Sequence, residues 1–183
     1  MISADDKSVY YQQDRKVWKL DLATLQRTCL YAAPDGWDCG NWGMSDEQRY
    51  LVMTETRRDT LPDLTGKKGW EFFPLTCAAK PLCHIVYLDT QTGEHHIVVE
   101  DRCWFGHAQL RPGDPDTILF CHEGPYDMID ARLWLIQSDG SRYRCARPQP
   151  KDVIITHEFW MPTGDVWPTS TARRTTAAPR PSG

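Results

Sequence analysis

The sequence is short of almost everything that marks a common catalytic scaffold. It has no glycine-rich phosphate loop, no Gly-x-Ser-x-Gly elbow and no His-Glu-x-x-His zinc helix. Its seven cysteines (Cys29, Cys39, Cys77, Cys83, Cys103, Cys121 and Cys145) are odd in number and contain no Cys-x-x-Cys pair. A zinc or redox motif is therefore not readable, and scattered thiols fit a reducing compartment better than a disulfide scaffold. No apolar run approaches the roughly 20 residues of a membrane span. The stretch from Met1 to Lys7 lacks the basic and then apolar pattern of a secretion signal. These absences set the expectation of a cytoplasmic protein with no membrane partner. A basic surplus is missing too: the net charge is −4, which argues against nucleic acid, because phosphate binding needs a basic surface. Any anion site must be a local cluster of Arg, Lys or His. A sustained helical period is also lacking, apart from a short turn near Pro125 to Asp130.

Strand grammar is present throughout. The 183 residues, 40% hydrophobic and 25% charged, suffice for one domain with a real core. Short strand-like runs alternate with tight polar turns, and the order repeats. Lys16 to Leu22 runs into the turn Ala23-Thr24-Leu25, His84 to Asp89 into Thr90-Gln91-Thr92-Gly93, and Arg132 to Ile136 into Ser138-Asp139-Gly140. Asp21, Asp89 and Ser138 hold the same place in successive units, at separations of 68 and 49 residues. Propeller blades run about 40–50 residues. The expectation is an all-β partial propeller of antiparallel four-stranded blades over 1–164, preferred to a twisted sandwich. The longer separation implies an insertion between Thr56 and Pro81, read as a long loop on a functional face. From 165 to 183 the chain is rich in Pro, Thr, Ala and Arg and is expected to form no packed blade, as a disordered or frame-shifted tail would.

Cys121 to Trp160 carries the candidate chemistry. His157 leads, because a neutral imidazole is a competent base near pH 7; the plainer alternative is a histidine bonded to a strand edge. Arg132, at a strand start, could grip a carboxylate with its two-pronged guanidinium, or pair with Asp130 or Asp127. His122 ends a strand, and His107 opens the third unit; both are candidate substrate contacts. His95 and His96 are neighbours on a strand, face opposite ways and are assigned no role. Glu123 and Glu158 each follow a histidine. By strand alternation they should point away from a pocket, so a glycosidase-like carboxylate pair is discounted.

Trp104-Phe105-Gly106-His107, Cys121-His122-Glu123-Gly124-Pro125, the run Asp130 to Ile136 and Thr156-His157-Glu158-Phe159-Trp160 together resemble the oligogalacturonate lyase family. So do Asp21 to Leu25 and the insertion from Arg57 to Phe73. The resemblance runs in order over roughly 2–164. It implies a portion of a seven-bladed propeller about twice this length, three to four blades lacking the first one or two and the last few. It implies metal-assisted β-elimination on short oligogalacturonides such as digalacturonate, pectin breakdown products, in the bacterial cytoplasm. The product would be an unsaturated uronate, 5-dehydro-4-deoxy-glucuronate, and the metal usually manganese. By resemblance His157 matches the base that takes the C5 proton, and Arg132 the arginine that steadies the substrate beside the scissile bond. The family's metal ligands would come from later blades, so none is assigned here and the chain alone is expected to be inactive. The alternative is a non-catalytic propeller that serves as a binding module.

Overall fold

The computed structural model of the chain describes residues 1–3, 5–150 and 153–173, with 167–173 described by their backbone. Its strands form antiparallel sheets in sequence order. β1 (Ser8–Gln13), β2 (Lys16–Asp21) and β3 (Arg27–Ala32) make a three-stranded sheet. β4 (Trp37–Met44), β5 (Tyr50–Arg57), β6 (Leu82–Asp89) and β7 (His95–Arg102) make a four-stranded one. β8 (Phe105–Arg111), β9 (Asp114–His122), β10 (Leu133–Gln137) and β11 (Arg144–Cys145) make a second four-stranded sheet, and β12 (Val153–Trp160) pairs with β13 (Val166–Arg173).

The turn chemistry fixes the repeat. The Asp21 carboxylate accepts hydrogen bonds from the backbone N–H groups of Ala23 (3.0 Å) and Thr24 (2.7 Å). Asp89 accepts in the same way from Gln91 (2.8 Å) and Thr92 (3.3 Å). Such side-chain caps hold the chain in a tight reversal. Since β2 and β6 both end in this turn, β1 to β3 match the second to fourth strands of the next sheet.

The core lies between sheets that pack face to face. Leu51-Val52-Met53 in β5 is fully buried on both sides. Leu51 and Met53 join Val17, Tyr31 and Leu88 toward the first sheet, while Val52 joins Ile85, Phe105, Ile118 and Phe120 toward the third. A strand covered on both faces needs a continuous apolar run, which β5 supplies. A third cluster, Leu119, Cys121, Leu133 and Ile155, seats β12 on the third sheet.

Two expectations change. The segment between β5 and β6 is not an unstructured loop: it folds as two 3-10 turns (Arg58–Thr60 and Gly69–Glu71) and a helix, α1 (Phe72–Ala79). Pro74 is tolerated because the first turn has no intrahelical N–H bond to lose. Lys80 ends the helix in a left-handed conformation (φ 48). The tail expected over 165–183 also differs. Val166 to Arg173 pairs with β12 from Trp160↔Val166 to Val153↔Arg173, interrupted at His157, and its Thr169 and Thr171 suit a strand. The remainder of that tail, 174–183, lies outside the described residues. Among the described residues no helix is long and apolar enough to cross a membrane.

Candidate functional site

The first strands of three successive sheets are irregular at matching places. β4 carries an extra residue between Cys39 and Trp42, and β8 carries one between Gly106 and Gln109, relative to the facing stretch of β5 or β9. Such bulges bend a strand and re-aim its side chains. His107 (φ 51) in β8 and His157 (φ 52) in β12 both have left-handed backbone. Each costs on the order of 1–3 kcal/mol, strain that clusters at functional sites. Asn41, His107 and His157 all line one cavity of about 410 Å³, within the usual range for ligand clefts. Thr156, Glu123 and Arg132 complete its polar side; Trp70, Phe72, Phe73, Trp104 and Phe105 form an aromatic side.

Beneath the polar side lies a buried charge network. Arg132, only 7% exposed, donates from Nη1 to Glu123 Oε2 (2.9 Å) and from Nη2 to Glu123 Oε1 (3.1 Å). It also donates from Nε to Glu158 Oε2 (3.0 Å) and from Nη2 to Glu158 Oε1 (3.3 Å). His107 stands between the two carboxylates, with Nε2 at 3.4 Å from Glu123 and Nδ1 at 3.3 Å from Glu158. The Cys121 thiol donates to Glu158 Oε1 at 2.6 Å. Burial opposes the Glu158 charge, but the hydrogen bonds and charge of Arg132 outweigh it and hold the carboxyl below the usual range. Burial likewise opposes the charge on Arg132, and the surrounding anionic partners overcome it, raising its pKa. Burial pushes the Cys121 thiol well up. Gln109 Nε2 fixes the backbone next to His157 through the Glu158 carbonyl (3.0 Å).

His157, Arg132 and His107 thus meet at one cavity. His122 does not reach it. Its ring stacks on Trp134 (4.5 Å, 19°) and Phe105 (5.6 Å, 26°), and its Nε2 meets the Tyr143 hydroxyl at 2.9 Å. Burial there lowers its pKa to about 4. The acidic partners of Arg132 are not Asp130 or Asp127 but the two glutamates set aside on strand alternation. Alternation does separate exposed His157 from buried Glu158, yet the buried side of β12 is where the arginine lies. Glu123 follows the end of β9, beyond the reach of the alternation rule. Asn41 carried no sequence signal of its own, whereas the aromatic side was marked only by the insertion and by the motif Trp104-Phe105-Gly106-His107. The Gly106 just before His107 was a readable hint: a Cβ there would run into the Glu123 carboxylate.

Among the described residues no group of three or more His, Cys, Asp or Glu side chains is arranged to hold a metal ion. The donors at the cavity do not fit one, because both carboxylates are committed to Arg132.

Sheets stacked side by side, with their first strands turned to a shared cavity, define a partial β-propeller. The β-propeller domain of Cps50 (Swd1) from Myceliophteria thermophila shares this fold, with a TM-score of 0.59 at 13% identity over 92% of this chain and 47% of that one. The family model for oligogalacturonate lyase matches residues 1–173, and the chain belongs to that family. It is 37% identical over 165 residues to an oligogalacturonate lyase from Dickeya dadantii, covering 89% of this chain and 42% of that protein. A solved structure of an oligogalacturonate lyase in complex with manganese superposes with a TM-score of 0.83 at 35% identity, over 92% of this chain and 46% of that one. The chain therefore spans less than half the length of these relatives.

Proposed function

We propose that this chain carries the uronide-binding and proton-abstracting part of an oligogalacturonide lyase site. The observation that supports it most is the convergence of His157 and Arg132, from separate sheets, on one cavity. In this reading His157 takes the C5 proton of a uronate. The C5–H electron pair forms the C4=C5 double bond, and the C4–O4 bond breaks with its pair leaving on O4. Arg132 positions the reaction from below. Of the five N–H groups of a guanidinium, four go to Glu123 and Glu158, which leaves one on Nη1 to reach a substrate oxygen. In a partly dry cavity such a fixed donor counts for more than it does in water.

Manganese enters this reading only for whole family members. The donors at this cavity do not fit it, so no step here passes through a metal. A C5 proton beside a carboxylate is a poor acid, and a guanidinium already shared by two carboxylates offers little to the charge that builds. The chain alone is expected to bind digalacturonate without turning it over. A cytoplasmic location, where short pectin fragments would be consumed, belongs to the same reading.

Titration calorimetry with digalacturonate and a manganese(II) salt tests this. The expected result is saturable binding that a neutral galactose disaccharide does not match, with no rise in near-ultraviolet absorbance from a conjugated product. A flat titration, or equal binding of the neutral sugar, contradicts the site. A steady absorbance rise contradicts only the lack of turnover.

A further inference from the structure

Trp70 is 78% exposed, the highest value among the large apolar side chains described, yet it stands on the cavity wall. It is not a stray surface residue. Its ring stacks on Phe72 (5.8 Å, 22°) and meets Phe73 edge-on (6.0 Å, 88°). Phe72 and Phe73 in turn lean edge-on against Trp104 at 6.3 and 5.3 Å. The 3-10 turn that carries Trp70 is held by the Lys68 N–H donating to Glu71 Oε2 (2.8 Å). An indole face left in water forgoes the gain of burying it, so a pre-built aromatic wall at the rim of a cleft is a surface prepared for a ligand. The opposite side is polar, with Asn41, Thr156 and His157. One apolar and one polar wall match a sugar ring, which has a C–H face and a hydroxylated edge.

We infer that Trp70 stacks on the C–H face of a second sugar unit, next to the one whose C5 proton faces His157. The inference rests on the lyase reading above and deepens it. A galacturonate ring gathers its C3, C4 and C5 hydrogens on one apolar face. A unit stacked on the indole by that face has its C5–H covered and out of reach of a base. Stacking and proton abstraction therefore need different units, and Trp70 holds the unit that does not react.

The test is calorimetry of digalacturonate with the 183-residue chain, its Trp70→Ala variant and its Trp70→Phe variant, with galacturonate as competitor in each. Digalacturonate affinity is expected to fall at least tenfold in Trp70→Ala and to stay within threefold of the parent in Trp70→Phe. The competing strength of galacturonate should be the same in all three. Unchanged digalacturonate affinity in Trp70→Ala overturns the inference. An equal loss for galacturonate overturns the assignment to a second unit. These failures differ from failure of the lyase reading, in which the parent chain itself shows no binding. Because Trp70 is exposed, all three chains should share one melting temperature.

Discussion

Two clusters of buried charge stand out among the described residues, and of the two only the one around Arg132 lines the cavity beside His157. Around Arg132, two glutamates and a histidine lie directly beneath the space lined by His157. Between the first two sheets, Glu55, 1% exposed, accepts from the Tyr31 hydroxyl at 2.7 Å and lies 3.5 Å from His84 Nδ1. His84 Nε2 lies 2.6 Å from Glu100, and its ring stacks on Trp37 at 3.7 Å. Both clusters place a carboxylate and an imidazole inside sheets. The second is roofed by an aromatic ring, and none of its members lines the cavity beside His157. A buried charge in a strand is thus not in itself a sign of chemistry. What separates the two is the neighbouring first strand, which turns its side chains into open space at His107 and His157.

The largest expected difference comes from removing the centre of each cluster. Arg132→Ala leaves two buried carboxylates facing each other and should cost about 3–5 kcal/mol. Glu55→Gln keeps the shape and removes one charge, for about 1–2 kcal/mol, with no effect on digalacturonate binding. Urea denaturation measures both, and equal losses would erase the distinction.

A second effect belongs to His122, which was expected near substrate and instead sits in an aromatic stack. Its pKa is depressed to about 4 in the folded chain, against an ordinary value of about 6.5. Above pH 6.5 neither state holds the proton. As pH falls from 6.5 to 4 the unfolded chain takes it up and the folded chain does not, so stability drops by up to roughly 3 kcal/mol. The depressed Glu158 acts in the same direction at lower pH: its contribution is present above its ordinary carboxylate range and is lost as pH falls through the folded value. His122→Phe should flatten the slope between pH 6.5 and 4 in urea titrations without changing sugar binding. A slope that survives the substitution assigns it elsewhere.

Gly106→Ala tests the packing under the site. The new methyl would press on the Glu123 carboxylate, at a cost of about 1–3 kcal/mol, and should weaken digalacturonate binding by displacing the anchor of Arg132. Retained binding would show that Glu123 does not matter to the site. The smallest effect is at His157 itself. Its left-handed backbone (φ 52) suits glycine, so His157→Gly adds no backbone strain and should change stability by less than about 1 kcal/mol while weakening digalacturonate binding. A clear loss of stability would mean that His157 is structural.

The blade order was legible because it rests on local chemistry: the Asp21 and Asp89 turns and the apolar run of β5 are written in adjacent residues. Helix α1 was not, because its eight residues are too few to establish a period. The pairing of 166–173 as a strand did not show because composition was averaged across the whole tail. At the site, His157 and Arg132 stood out as polar residues in strand-like runs. The glutamates that hold Arg132 were hidden because pairing across sheets leaves no mark on spacing, and strand alternation fails where β9 ends. The aromatic stack around His122 was hidden for a similar reason: Phe105, Trp134 and Tyr143, which enclose it, come from distant points of the chain.

The most direct measurement uses the six histidines as reporters, by following their ring C–H signals by NMR as digalacturonate is added, each signal assigned by single substitution. His107 and His157 should shift together with one saturation curve, while His84, His95, His96 and His122 stay in place. Shifts confined to His84 or His122, or none at all, would contradict the claim that an acidic sugar is held between the irregular first strands of these sheets.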